Sequence, residues 1–294
     1  MTLMTDFKAV DAILGWFESS ARTLPWRSDP KPWGVLVSEV MLQQTPVARV
    51  LPVYAEWMQR WPTPADLAAD TPGDAIRAWG RLGYPRRALR LHAAATVCRD
   101  SFNGQVPSDL ADLRSLPGVG DYTAAAVAAF AFGQRQAVLD TNVRRVHARW
   151  LDGVEFPTSS ALSSTERRRA LDLLPTEPAQ AARASVAVME LGALVCTARS
   201  PTCDVCPITG QCTWRENGYP AWDGPPRRGQ TYAGTDRQCR GRLLAALRTA
   251  DGPLPRAVLD DEWHEREQLE RSLASLLADG LVVSDNRSGY RLPG

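Results

Sequence analysis

Four cysteines fall within seventeen positions, as Cys196-x6-Cys203-x2-Cys206-x5-Cys212. Thiols this close together fold a short loop either by cross-linking it or by closing it around a metal centre. The N-terminus has no basic stretch followed by an apolar run, so it does not read as a secretion signal and disulfides are not expected. Four thiolates suit zinc or an iron–sulfur cluster. Zinc sites more often pair two separated C-x2-4-C units; here one close pair is flanked by two single cysteines. Cys98 and Cys239 stand alone and read as buried structural thiols.

The rest of the chain is built from helices. Ala9–Ser19 repeats apolar residues every three or four positions, and Thr123–Phe132 is rich in alanine with few β-branched residues. Proline and glycine punctuate between such segments, at Trp61-Pro-Thr-Pro, Thr71-Pro-Gly, Gly104-Gln-Val-Pro and Leu116-Pro-Gly-Val-Gly. Thr63 and Ser108 are placed to cap the helices that follow them. No period-two strand precedes residue 280 or thereabouts. Asp223-Gly-Pro-Pro-Arg-Arg-Gly-Gln has the composition of a linker. Beyond it, Cys239–Ala250 and Glu265–Asp279 read as amphipathic helices. Leu281-Val-Val-Ser, a turn at Asp285-Asn-Arg-Ser-Gly and Tyr290-Arg-Leu complete a two-stranded wing. A winged helix either binds DNA or mediates other contacts, and fold alone does not choose.

No run of apolar residues is long enough to cross a membrane, which with the unremarkable N-terminus makes a cytoplasmic protein the expectation, nucleoid-associated in a bacterium. The net charge is only +1, so a polyanion must be held by local patches. Candidates are Arg86/Arg87/Arg90, Arg144/Arg145/Arg149 and Arg167/Arg168/Arg169, each of which also reads as an ordinary solvated helix face.

In Leu116-Pro-Gly-Val-Gly-Asp-Tyr, Gly118 and Gly120 permit a tight turn into a helix beginning near Tyr122. Backbone N–H groups at such a helix start can hold a phosphate. Twenty residues on, Val138-Leu-Asp-Thr-Asn-Val-Arg-Arg-Val places Asp140 where it would cap a helix beginning near Val143. Together with the cysteine spacing, this resembles the helix-hairpin-helix DNA glycosylases of the endonuclease III superfamily. The resemblance implies an all-α helix-hairpin-helix fold of two helical lobes, a [4Fe–4S] cluster on Cys196, Cys203, Cys206 and Cys212, and a catalytic Asp140 oriented by Asn142. It implies a glycosylase catalytic domain over 1–222, with one lobe near 28–138 and a cluster lobe of 1–27 and 139–222. A linker at 223–237 and a small winged-helix-like module at 238–294 would follow. Bifunctional members of that superfamily carry a lysine at the position of Tyr122. Tyrosine there supplies no amine nucleophile, so the expectation is a monofunctional hydrolase.

Leu24-Pro-Trp-Arg and Trp33-Gly-Val-Leu-Val-Ser-Glu-Val-Met-Leu-Gln-Gln-Thr resemble the adenine DNA glycosylase (MutY) family. The resemblance makes Glu39 the acid that protonates adenine, Asp140 the ionised partner that meets the developing sugar cation, and Tyr122 a hydrogen-bonding group beside it. Apolar neighbours would hold Glu39 in a partly dry setting that favours its protonated form. Leu82-Gly-Tyr84 would be a wedge that enters the duplex, with Gln44 and Thr45 beside it and Arg86, Arg87 and Arg90 on phosphates. The implied partner of a monomeric enzyme is double-stranded DNA carrying A:8-oxoguanine or A:G. Two departures stand out. Pro85 replaces a second tyrosine usual in the family, and the 72 residues after Trp222 are too few for the MutT-like domain of many members. Weaker discrimination of 8-oxoguanine from guanine is therefore expected. A thymine or uracil mismatch glycosylase and a non-catalytic DNA-binding relative are the alternatives.

Overall fold

The computed structural model describes residues 3–224, 232–285 and 289–294. Its helices run α1 (Leu3–Ser20), α2 (Pro25–Ser28), α3 (Pro32–Leu42), α4 (Val47–Arg60), α5 (Pro64–Ala69), α6 (Pro72–Trp79) and α7 (Arg86–Ser101). Next come α8 (Leu110–Ser115), α9 (Asp121–Phe130), α10 (Thr141–Trp150), α11 (Ser164–Leu173) and α12 (Pro178–Leu194). A short α13 (Thr213–Glu216) follows the cysteine loop. Then α14 (Asp236–Thr249), α15 (Arg256–Asp260) and α16 (Arg266–Ala278) precede β1 (Val283–Asp285) and β2 (Gly289–Arg291). Among the described residues every element before the wing is helical, as the sequence pattern predicts. The expected linker lies outside the described residues over 225–231, and the wing's turn does so over 286–288.

Two compact units form. Unit 1 takes residues 1–36, 108–114 and 119–226; unit 2 takes 37–107, 115–118 and 227–294. The terminal module thus groups with the α4–α7 helices rather than standing apart, and α9 groups with the cluster segment.

In unit 1, α12 is the central helix, packed by α1, α9 and α10. Ile13 and Phe17 of α1, Val146 and Trp150 of α10, and Leu191 of α12 share one buried cluster. Each such side chain contributes roughly 1.5–3 kcal/mol on leaving water. Small residues on α12 (Ala181, Ala184, Ala187) let its neighbours approach closely, which is why an alanine-rich helix can be the hub.

In unit 2, α5 and α6 pack on α7. Thr63 caps α5 through a capping box with Asp66, and Thr71 caps α6 with Asp74 in the same way. The cap expected at Ser108, which belongs to unit 1, falls one residue later: Asp109 Oδ1 accepts from the Ala111 and Asp112 amides at 2.7 and 3.2 Å. Trp57 packs edge-on against Trp61 and Trp79, with ring centroids 4.8 and 5.5 Å apart. In the terminal module α14 packs on α16, and β1 pairs antiparallel with β2 in the register Ser284 to Tyr290. An isolated bridge between Leu254 and Tyr290 ties this two-stranded wing to the segment before α15.

Candidate active site

Cys196, Cys203, Cys206 and Cys212 line one pocket of unit 1. Leu191, Val195, Ile208 and Trp214 supply its apolar walls, and α10 faces it with Arg149. That arginine is only 1% exposed. Its guanidinium reaches Cys196 Sγ at 3.4 Å and the Thr197 carbonyl at 2.7 Å, and stacks 4.5 Å from the Trp214 ring. As free thiols two of the cysteines resist ionisation: burial pushes Cys206 up to about 11 and raises Cys212 as well. Among the described residues no group of three or more His, Cys, Asp or Glu side chains is gathered as a single-ion site. Four sulfur donors around one dry pocket, with a buried cation against one of them, fit a thiolate-bound cluster whose negative charge the arginine would offset.

Asp140 sits at the start of α10 and caps it. Its Oδ1 accepts from the Val143 amide at 2.7 Å, and its Oδ2 accepts from Asn142 Nδ2 at 2.8 Å. Asn142 Oδ1 in turn accepts from Arg145 at 2.8 Å, and Arg145 also donates to the Gly192 and Cys196 carbonyls at 2.6 and 2.8 Å. A Cβ on Gly192 would stand 2.8 Å from that of Asn142, so only glycine lets α12 come this close. The Asp140 pKa is raised above the usual carboxylate range. Burial raises it, and outweighs the bonds from Val143 and Asn142 and the charge of Arg145, which lower it. Ionisation of Asp140 is therefore less favourable than that of a solvated carboxylate. Tyr122, one residue into α9, is half-buried against Ala125, Ala126 and Val138.

The turn into α9 has Gly118 at φ +82°, and a Cβ there would lie 2.7 Å from that of Arg90. Both the left-handed backbone and the close approach of α7 demand glycine. Gly120 at φ −92° has an ordinary backbone and open space around it; it precedes a first turn that no side chain caps.

Glu39, in unit 2, is 7% exposed on α3, between buried Ser38 and Val40. The same unit holds the predicted wedge. Tyr84 is 49% exposed at φ +46°, and Gln44 is exposed at φ +54°. Both are left-handed positions that cost a non-glycine residue free energy and persist only where the surroundings impose them. Here the surroundings are identifiable. Trp79 Nε1 donates to the Gly83 carbonyl at 2.9 Å. Arg87 donates to the carbonyls of Val40, Met41, Gln43 and Gly83 and to Thr45 Oγ1, at 2.6 to 3.1 Å.

Residues 37–166 match the family model described as HhH-GPD superfamily base excision DNA repair protein. The adenine DNA glycosylase of Mycobacterium tuberculosis is 53% identical over 286 residues, spanning 96% of this chain and 92% of that protein. The chain belongs to the adenine DNA glycosylase family. Its fold is also that of a thermostable thymine-DNA glycosylase, with TM-score 0.66 at 26% identity over 72% of this chain and 98% of that one. A trapped covalent intermediate of endonuclease III with DNA gives TM-score 0.62 at 25% identity, over 74% of this chain and 99% of that one.

Within this adenine glycosylase framework several sequence expectations need correction. Arg87, expected on a phosphate, is buried, and its donors are spent on holding the loops at 43–45 and 82–85 together. Thr45 and Leu82 are buried too, and the Thr45 hydroxyl donates to the Leu82 carbonyl, so both help to hold the loops together. Arg86 is exposed but ion-paired with Asp279 at 3.3 Å. Arg144, Arg145 and Arg149 form no surface patch. Arg144 pairs with Glu166 and the carbonyls of the 159–161 loop, while Arg145 and Arg149 serve the cysteine loop. The four-residue spacing of Arg145 and Arg149 was the signal that both share one helix face.

Lysine has one compact head and cannot serve five acceptors set in a fork-shaped ring. An Arg87→Lys variant is expected to lose about 2 kcal/mol or more, since each buried acceptor left alone costs roughly 1–3 kcal/mol. Urea unfolding with limited proteolysis of the 43–45 and 82–85 loops checks this. Unchanged stability and unchanged cleavage would show that the clamp is dispensable.

Proposed function

We propose that this protein is a monofunctional adenine DNA glycosylase that hydrolyses the N-glycosidic bond of adenine mispaired with 8-oxoguanine or guanine. Its near full-length similarity to an adenine DNA glycosylase carries the reading. The catalytic domain is residues 1–222, and the winged-helix-like module at 238–294 is an appendage to it.

Adenine leaves poorly as an anion, so it must be protonated as the bond loosens. Glu39, a carboxyl held on a buried apolar helix, is the donor in this reading. The sugar then becomes cation-like. Asp140 meets that charge, and its proximity to a cation favours the ionised form, which burial opposes. Asn142 fixes the carboxylate's orientation through its 2.8 Å bond, and Tyr122 hydrogen-bonds beside it. The base must first leave the stack, which costs a few kcal/mol and least at a mismatch. Tyr84 and Gln44, held in left-handed backbone at exposed loop tips, fill the gap. The amides following Gly118 and Gly120 take a phosphate. Cys196, Cys203, Cys206 and Cys212 would hold a [4Fe–4S] cluster, which shapes the loop and takes no part in hydrolysis. The protein acts as a monomer on double-stranded DNA.

Incubation with end-labelled duplexes carrying A:8-oxoguanine, A:G, T:G or U:G, each with and without hot alkali, tests the activity. Breaks at adenine only after alkali are expected. Breaks at thymine or uracil would replace the reading with a mismatch-pyrimidine glycosylase, and breaks without alkali would refute the monofunctional mechanism.

The cluster has its own test. Protein purified without air is expected to contain about four iron atoms per chain and to lose them in a Cys206→Ser variant. Zinc in place of iron in the parent protein would overturn the assignment.

A further inference from the structure

Helix α14 carries Arg237, Arg240, Arg242 and Arg248 against a single carboxylate, Asp236. The following segment 255–279 reverses the balance, with three arginines and seven carboxylates. This segment holds α15 and α16, the helix-turn-helix of the module, whose second helix would ordinarily enter a DNA groove. Its charge repels a phosphate backbone, whereas that of α14 attracts one.

What α14 faces is specific. It forms one wall of a cleft of about 1350 Å³ within unit 2, whose other wall is the pair of wedge loops and the start of α7. Nine of the residues lining this cleft are arginines and one, Glu262, is acidic. The exposed ring of Tyr84 has two guanidinium groups against it, that of Arg87 at 5.4 Å and that of Arg237 of α14 at 5.9 Å.

The helix is fixed in this place. Asp279 binds Arg86 of α7 at 3.3 Å and Arg240 of α14 at 2.6 Å. Arg248 donates to the Ile76 carbonyl at 3.0 Å. Arg77 of α6 donates to the last carbonyls around α14, those of Arg248 and Ala250, at 3.0 and 3.3 Å. The Gly73 amide donates to the Pro293 carbonyl at 2.7 Å, and any side chain at Gly73 would collide with that oxygen. Arg240 and Arg248 are thus structural, while Arg237 and Arg242 are exposed on the cleft wall.

We propose that the terminal module is part of the DNA-binding surface, and that it binds duplex phosphates through Arg237 and Arg242 of α14 rather than through its helix-turn-helix. The inference rests on duplex DNA being the substrate. The phosphates in question flank the point where Tyr84 enters, so α14 both guides the wedge and grips the backbone beside it.

The test is the salt dependence of binding by the full chain to an unmodified duplex, read by fluorescence anisotropy. Each lost phosphate contact should flatten the slope of log K against log salt by about 0.9. Arg237→Ala with Arg242→Ala is therefore expected to flatten it by about 1.8. Arg266→Ala with Arg271→Ala, on α16 of the same module, should leave it unchanged. Circular dichroism and thermal midpoints establish that both pairs fold. An unchanged slope in the α14 pair overturns the proposal, and so does an equal loss in the α16 pair. Adenine release by the parent protein is scored separately. A parent that binds duplex steeply in salt yet releases no base refutes the glycosylase activity while leaving this surface standing.

Discussion

A Glu39→Gln variant is expected to release adenine about 10² to 10⁴ times more slowly than the parent while binding an A:G duplex with similar affinity. Glutamine matches the shape of the side chain on α3 and keeps its place between Ser38 and Val40, but has no acidic proton to give. Asp140→Asn is expected to fall by a similar factor for a different reason. An amide cannot carry the negative charge that stabilises a sugar cation. It also cannot accept from both the Val143 amide and Asn142 Nδ2, so it loses one bond and about 1 kcal/mol of helix cap. Against that loss, the substitution removes a carboxyl whose ionisation burial disfavours. A raised folded pKa means that the folded state binds the proton more tightly than the unfolded state. Ionisation above the usual carboxylate range is therefore a stability penalty, which Asn does not suffer. Overall stability of the variant is thus expected to hold while single-turnover release collapses. Unchanged release by either variant would remove that residue from the chemistry, and loss of release together with loss of folding would make Asp140 a cap only.

The elements proposed to carry chemistry were the legible ones, because their residue types are rare and their spacing is local. The glycine turn before α9 and the wing sit where their motifs put them, and the four cysteines of the loop line one pocket. Arginine was the illegible residue. A run of arginines reads as a basic face, yet Arg87, Arg145 and Arg149 are buried and donate to backbone carbonyls far away in sequence. Guanidinium groups can organise loops as readily as they bind phosphate, and only the positions of the acceptors distinguish the two. The same limit hid the role of Leu24-Pro-Trp-Arg. Its arginine is one of two that converge on Glu190, a residue without any local signature.

That convergence predicts the largest stability effect in unit 1. Glu190 is 1% exposed on α12. Its Oε1 accepts from the Arg22 amide at 3.0 Å and Arg22 Nε at 2.8 Å, and its Oε2 accepts from Arg22 Nη2 at 2.7 Å and Arg27 Nη2 at 3.1 Å. Removing one partner of such a buried pair leaves the opposite charge without its match, at about 3–5 kcal/mol. The arginines are partly exposed and recover some hydration, so Glu190→Ala is expected near the lower end, about 3 kcal/mol, by urea unfolding. The acid limb gives an independent reading. Burial raises the Glu190 pKa, but the bonds from Arg22 and Arg27 more than reverse it and bring it to about 2. A depressed carboxylate contributes stability above its unfolded value of about 4.3, and loses it as pH falls towards 2. His147, pushed down to about 4 by burial, acts in a higher window: its contribution is full above about 6.5 and disappears as pH falls through 4. Glu190→Gln should therefore flatten the stability profile below about pH 4.5 and preserve the decline between about 6.5 and 4. A variant profile parallel to the parent's below pH 4.5 would mean that the two arginines do not hold this carboxylate in solution. Because Gly192 lies two residues beyond Glu190 and packs on Asn142, loosening this anchor is also expected to blur the orientation of Asp140. The buried Glu190 pair and the carboxylate proposed to react are thereby joined through one helix.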